Sequence, residues 1–254
     1  MRGRRFTWLA VSLAGTVACH GSLSPIQNKI QVGEEAYVVF AADGEGGAGD
    51  LYAVHATGGQ TFPITFSRVD ESAPALSPDG SLLAFVRARS VRDSATELWV
   101  MNLLNGAERR LDTPARELRV TRLGWSGDGR TLYARSDHGT FRLAAPPAPS
   151  EPEWVDSTDA GADTALAVIL GDPAFAQAMP CPGRPGLCAV DRSGMATLLS
   201  ADGHDAAPWG SDSVAYFAGN VLVVRPLGGG SLRQIGFERV PERPRQLTVF
   251  AGKR

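Results

Sequence analysis

The chain has 254 residues, of which 43% are hydrophobic, 20% charged and 7% aromatic, with 29 Gly, 17 Pro and a formal net charge of -2. That apolar content excludes disorder over most of the length, and the near-neutral charge excludes the basic footprint of a nucleic-acid partner. The glycine and proline counts predict many turns, and the length fits one or two domains, since all-β barrels and propellers often run past about 200 residues as one unit.

Arg2, Arg4 and Arg5 precede an uncharged, largely apolar run from Phe6 to Ala18. Such a basic start with a short apolar stretch is a secretory signal, and 13 residues are too few to span a bilayer. The run ends Thr16-Val17-Ala18-Cys19, which resembles a bacterial lipoprotein lipobox, with residues 1–18 as signal peptide and Cys19 as the lipidated mature N-terminus. The alternative is a conventional small-residue cleavage site with Cys19 as a bystander. Removing residues 1–18 takes away three arginines and no acid, which moves the net charge from -2 to -5. Residues 19–33 are polar and irregular, and are expected to be a tether.

From Gly33 onward the chain repeats. The first copy has Glu35 in a turn, then apolar runs at Tyr37-Val38-Val39-Phe40, Leu51-Tyr52-Ala53-Val54 and Phe62-Pro63-Ile64-Thr65. The second is the clearest: Ala73-Pro74-Ala75-Leu76, the turn Ser77-Pro78-Asp79-Gly80, Leu82 to Val86, Glu97 to Leu103, a second turn at Asn105-Gly106, and Glu108 to Leu111. Pro78 presets φ, Asp79 and Gly80 accept turn geometry, and Asn-Gly is a strong hairpin signal, so four short strands meander antiparallel. The third copy has Leu123-Gly124-Trp125 before Ser126-Gly127-Asp128-Gly129, then Thr131 to Ala134 and Thr140 to Leu143. Residues 144–163 form an irregular insert whose four prolines oppose regular pairing; Trp154 is expected to mark a resumed outer strand. The fourth copy reads Leu166 to Asp172, Ala174 to Ala176 and Leu187 to Asp191, and the fifth Pro208 to Asp212, Val214 to Phe217 and Val221 to Val224.

The acidic turn residues stand at 35, 79, 128, 172 and 212, with steps of 44, 49, 44 and 40. Four-stranded repeats of about 40 to 50 residues are the mark of a β-propeller. One further step of about 42 from Asp212 ends at Arg254, so Gln246 to Phe250 reads as a first strand with no blade after it, while the first copy lacks a first strand of its own. The fold expected is all-β: five antiparallel blades, with room for a sixth only in residues 24–33, over residues 34–254, closed by the C-terminal strand.

The copy from Ser72 to Leu111 resembles the repeat of TolB-type propellers, relatives of WD-repeat proteins in the bacterial envelope. That resemblance implies a rigid interaction platform without catalysis of its own or a cofactor. No peptidase-like domain is expected to follow the propeller.

Candidate chemistry is sparse. Cys181 and Cys188 flank a turn-rich insert between strand-like runs and, in an oxidising compartment, are expected to form a disulfide rather than half of a metal site. Ser136-Asp137-His138 contains triad residue types, but neighbours on a strand end point to opposite faces, so it reads as a polar turn. His204-Asp205 reads as part of an interblade loop, and Asp43 to Asp50 as a glycine-rich hairpin tip rather than a calcium loop. Arg109, Arg110, Arg116, Arg119 and Arg122 crowd 14 residues and are the candidate partner contact. The function expected is a lipid-anchored, non-catalytic binding module of the envelope, in the outer membrane and facing the periplasm or the surface, whose partner is an envelope protein or glycan. The alternative is an exported hydrolase or lyase acting on sugars or lactones, which needs acids or histidines converging at one mouth of the ring.

Overall fold

A computed structural model describes residues 24–148, 151–171, 174, 176–239 and 241–253; the signal segment and Cys19 lie outside them. Strands β1 (Tyr37–Asp43), β2 (Gly49–His55) and β3 (Phe62–Pro63) belong to blade I, and β4 (Glu71–Leu76), β5 (Leu82–Ala88), β6 (Thr96–Asn102) and β7 (Glu108–Leu111) form blade II. Blade III is β8 (Val120–Trp125), β9 (Thr131–Ser136), β10 (Gly139–Ala144) and β11 (Glu153–Val155). Helix α1 (Ala160–Leu166) leads into blade IV, made of β12 (Val168–Ile169), β13 (Gln177–Pro180), β14 (Leu187–Val190) and β15 (Ala196–Ser200). Blade V is β16 (Gly203–Trp209), β17 (Ser213–Ala218), β18 (Val221–Pro226) and β19 (Arg233–Ile235), after which β20 (Glu242–Phe250) returns to pair antiparallel with β1 as the innermost strand of blade I. This is a five-bladed β-propeller closed by its C-terminal strand, as the repeat spacing implies.

The turns that end the innermost strands are built alike in blades II and III. Ser77 Oγ donates to Asp79 Oδ1 at 2.6 Å and accepts from Leu82 N at 2.9 Å, while Asp79 Oδ1 also accepts from Ser81 N at 3.0 Å. Ser126, Asp128, Arg130 and Thr131 repeat that network. Gly80 holds φ at 71° and carries the Phe250 ring so closely that a Cβ there would stand 2.7 Å from it. Across the closure, Gln246 Oε1 accepts from Ala73 N at 2.8 Å and Thr248 Oγ1 from Leu76 N at 3.1 Å, which binds β20 to blade II as well as to β1.

Four of the five seams between blades are filled by continuous apolar clusters; between blades I and II, for example, Phe85, Leu83 and Met101 pack with Tyr37, Val39 and Phe250. The seam between blades III and IV is different, because helix α1 fills it with only Tyr133, Ala162 and Leu166 buried. Residues 160–166 were expected to lie in the insert and at the start of a first strand. They are helical because Asp159 caps the N-terminus by accepting from Ala162 N at 2.8 Å, and because the alanines that follow are strong helix formers. The second strand of blade IV begins at Gln177, later than expected. The insert does carry an outer strand: Trp154 pairs with Phe141 and packs edge-on against its ring.

The described part of the expected tether, residues 24–33, is not free. Ile26 and Ile30 are buried in the cluster between blades I and II, Ser24 Oγ donates to the Leu103 carbonyl, and His55 Nε2 lies 2.7 Å from the Lys29 carbonyl. This segment docks on the face that carries the Asp79 turn, whose carbonyl lies against Gly33.

Candidate functional site

Blade III builds the site. On β8 and β9, Leu123, Trp125, Leu132 and Ala134 pack toward blade II, so strand alternation turns Gly124 and Tyr133 toward blade IV. Arg122 and Arg135, which are register partners just past a bulge after Val120, share that second face. Helix α1 rests on Gly124, where a Cβ would stand 1.9 Å from the Ala165 carbonyl oxygen. In blade IV, β12 is two residues long and its pairing with β13 ends at Ala178, which leaves Met179 and Pro180 at an open edge. The short strand and the small helix together leave a cavity of about 910 Å³ between blades III, IV and V. Its walls include Arg122 and Arg135 on one side, Met179 and Pro180 on another, and His204 and Asp205 from the start of β16.

His204 and Asp205 were expected in a loop, yet they lie in a bulged stretch of β16, where Asp205 holds φ at 49°. The bulge re-aims these side chains. His204 Nδ1 stands 2.8 Å from Asp205 Oδ2 and its Nε2 3.2 Å from the Gly219 carbonyl, and the ring stacks on Phe217. Arg122 and Arg135 are both exposed to solvent on the wall of the cavity. Desolvation there, and then the like charge of Arg135, pull its guanidinium below its ordinary value, against the opposing pull of the Asp205 carboxylate.

Arginines elsewhere at this mouth are matched by carboxylates. Arg87 Nε meets the buried Glu71 at 2.6 Å and Arg87 Nη2 meets Glu108 at 3.0 Å, while Arg245 reaches Asp43 at 2.8 Å and Arg243 joins it. Burial holds the Glu71 carboxyl above its usual range even beside Arg87. Among the described residues, neither Arg122 nor Arg135 has a carboxylate within ion-pair distance.

The five arginines singled out in the sequence do not form one patch. Arg109 and Arg110 lie on β7, the outermost strand of blade II, where Arg110 pairs with Glu97 at 3.1 Å. Arg116 and Arg119 lie in the loop before β8; the Arg116 carbonyl accepts from Arg89, and Arg119 N donates to Asp137 Oδ1 at 3.1 Å. Arg122 alone of the five lines the cavity, and its companion Arg135 was not anticipated. Counting back from the Ser126–Gly129 turn pairs Trp125 with Leu132, Gly124 with Tyr133, Leu123 with Ala134 and Arg122 with Arg135 in unbroken register, and the bulge comes only beyond that pair, toward Val120. Ser136-Asp137-His138 is a polar hairpin tip between β9 and β10, with His138 Nδ1 bonded to Asp137 at 2.9 Å. Asp43 to Asp50 spans the β1–β2 hairpin, with Asp50 accepting from Ser67 N at 2.9 Å. Among the described residues, no group of three or more His, Cys, Asp or Glu is placed to hold a metal, and no helix is long and apolar enough to cross a membrane. Cys181 and Cys188 are disulfide-bonded across the β13–β14 hairpin, with Cα atoms 4.9 Å apart.

No protein-family model matches the chain. Tricorn protease homolog 1 of Streptomyces coelicolor is 33% identical over 94 residues, which covers 37% of this chain and 8% of that protein. Among solved structures, TolB from Acinetobacter baumannii is similar with a TM-score of 0.49 and 14% identity, over 84% of this chain and 66% of that one. The putative TolB from Agrobacterium tumefaciens gives 0.41 and 17%, over 80% and 64%. A protein of unknown function from Bacteroides thetaiotaomicron gives 0.48 and 11%, over 86% and 65%. The chain thus spans less than two thirds of each of these solved chains. Its fold is a five-bladed β-propeller, and the solved structures it is similar to include TolB proteins.

Proposed function

We propose that this is a lipid-anchored, non-catalytic binding module of the bacterial envelope, attached through Cys19 and holding an envelope protein or glycan on its propeller. The observation that carries the binding half is the composition of the cavity at the ring mouth. Its cations are guanidiniums, which hold a charge but do not exchange protons near neutral pH, and both ring nitrogens of its histidine already face acceptors. Such groups recognise a ligand rather than cycle protons through a reaction. The basic, then apolar N-terminus and the lipobox-like junction support export and anchoring, and the disulfide suits an oxidising compartment. His20 after the cysteine, where lipoproteins retained in the inner membrane often carry Asp, favours the outer membrane by resemblance.

The test compares wild type with Cys19→Ala in fractionated cells. Wild type is expected in the membrane fraction and the variant in the soluble one. A wholly soluble wild type overturns the anchoring, and a purified body that turns over esters, lactones or glycans well above background overturns the non-catalytic reading in favour of the hydrolase or lyase.

A further inference from the structure

We infer that the cavity between blades III, IV and V is a binding site for a carboxylate carried on an apolar body, gripped by Arg122 and Arg135. Three observations converge on it. The first is the pair itself: two guanidiniums on one face of the sheet, opposite each other in register on β8 and β9, with no carboxylate within ion-pair distance among the described residues. Like charges held side by side in a concave wall are unfavourable until an anion lies between them, and the planar forks of arginine suit a carboxylate in bidentate geometry.

The second is the volume. About 910 Å³ lies within the range of small-ligand sites and exceeds what one bound anion fills, so the ligand extends beyond its charged group. The third is the remaining wall. Met179 and Pro180 at the open edge of β13 line it, with the buried Leu166, Val168, Ala178 and Leu187 behind them, so the wall beyond the arginines is apolar. In the other seams the corresponding space is filled by side chains of the protein itself, whereas here the two-residue β12 leaves it open. The acids that line the cavity do not cancel the pair: Asp205 is hydrogen-bonded to His204, and Asp163 sits on the helix beyond Gly124. The site does not depend on Cys19 or on the envelope partner, so it stands or falls separately from the anchoring.

A free organic acid and the C-terminal carboxylate of a peptide offer the same chemistry. Isothermal titration of the purified body with octanoate, with an N-acetylated dipeptide acid ending in leucine, and with the C-terminal amide of that dipeptide distinguishes them. At least one acid is expected to bind and the amide to bind about ten-fold more weakly, the effect of losing a charge-assisted contact of about 1.4 kcal/mol. Binding of octanoate alone identifies a free acid as the ligand, and binding of the dipeptide acid identifies a peptide terminus. Arg122→Gln and Arg135→Gln should each weaken the acid by a similar factor, Arg109→Gln should not, and both cavity variants should melt no lower than wild type because a like-charge contact is removed. With wild type, raising the salt concentration should weaken the acid but not the amide. Absence of binding by both acids, equal affinity for acid and amide, or unchanged affinity in both cavity variants overturns the assignment.

Discussion

Deleting residues 245–254 removes the strand that closes the ring. The pairs lost are Tyr37 with Phe250, Val38 with Val249, Val39 with Thr248, Phe40 with Leu247 and Ala41 with Arg245, together with the side-chain bonds from Gln246 and Thr248 to blade II. Leu247 and Phe250 are both buried, and Phe250 packs on the Tyr37 ring at 5.7 Å. Removal of a buried Leu or Phe costs about 2–5 kcal/mol, and each lost hydrogen bond about 1 kcal/mol net. The total is on the order of 10 kcal/mol, comparable with the whole stability of a domain at about 5–15 kcal/mol. The truncated protein should therefore show no cooperative calorimetric transition and should elute as aggregate, since β1 becomes an open apolar edge. A graded version is Phe250→Ala, at about 3–5 kcal/mol, or roughly 10 °C in midpoint for a domain of this size. A truncated protein that melts like the full chain, or a Phe250→Ala midpoint unchanged within error, would show that closure does not hold the ring together.

Two further perturbations address blades III and IV. Gly124→Ala should destabilise by about 1–3 kcal/mol because its Cβ meets backbone of helix α1, whereas Gly127→Ala, with nothing within 4 Å, should change little; equal melting of the two variants would contradict the packing. Replacing Cys181 and Cys188 by serine should cost about 2.5 kcal/mol for so short a closed loop, and non-reducing peptide mapping of the exported protein should recover the linked pair; finding both thiols free would refute it.

Much of the architecture is legible because the turn chemistry is local. Asp79 and Asp128 each organise the turn through bonds within two residues, so a repeated Ser-x-Asp-Gly signals a strand boundary without tertiary information. Closure is legible for a different reason: a surplus strand at one end and a deficit at the other have one simple resolution. Blade IV is not, because Leu166 to Leu170 is as apolar as a strand while the Asp159 cap and Ala160, Ala162 and Ala165 favour helix, and the close approach of Ala165 to Gly124 settles the contest. The cavity follows from that helix and escapes a sequence reading with it. Arg135 was legible but not anticipated: regular antiparallel register counted from the Ser126–Gly129 turn already sets it opposite Arg122, on the face that alternation assigns to both. Gly203 suggests a loop before His204, yet here it opens a strand.

The docking of residues 24–33 sets the posture of the molecule. With Cys19 acylated, four residues separate the lipid from Ser24, a span of about 18 Å at full extension against roughly 45 Å for a tether running to Gly33. The chain enters on the face of the Asp79 turn, while Arg122 and Arg135 lie on β8 and β9 toward the ends away from the Ser126–Gly129 turn. An acylated Cys19, as proposed, would therefore hold the face of the Asp79 turn close to the bilayer. A pull on the anchor would load the seam between blades I and II, where Ile26 and Ile30 share a cluster with Phe250 of the closing strand.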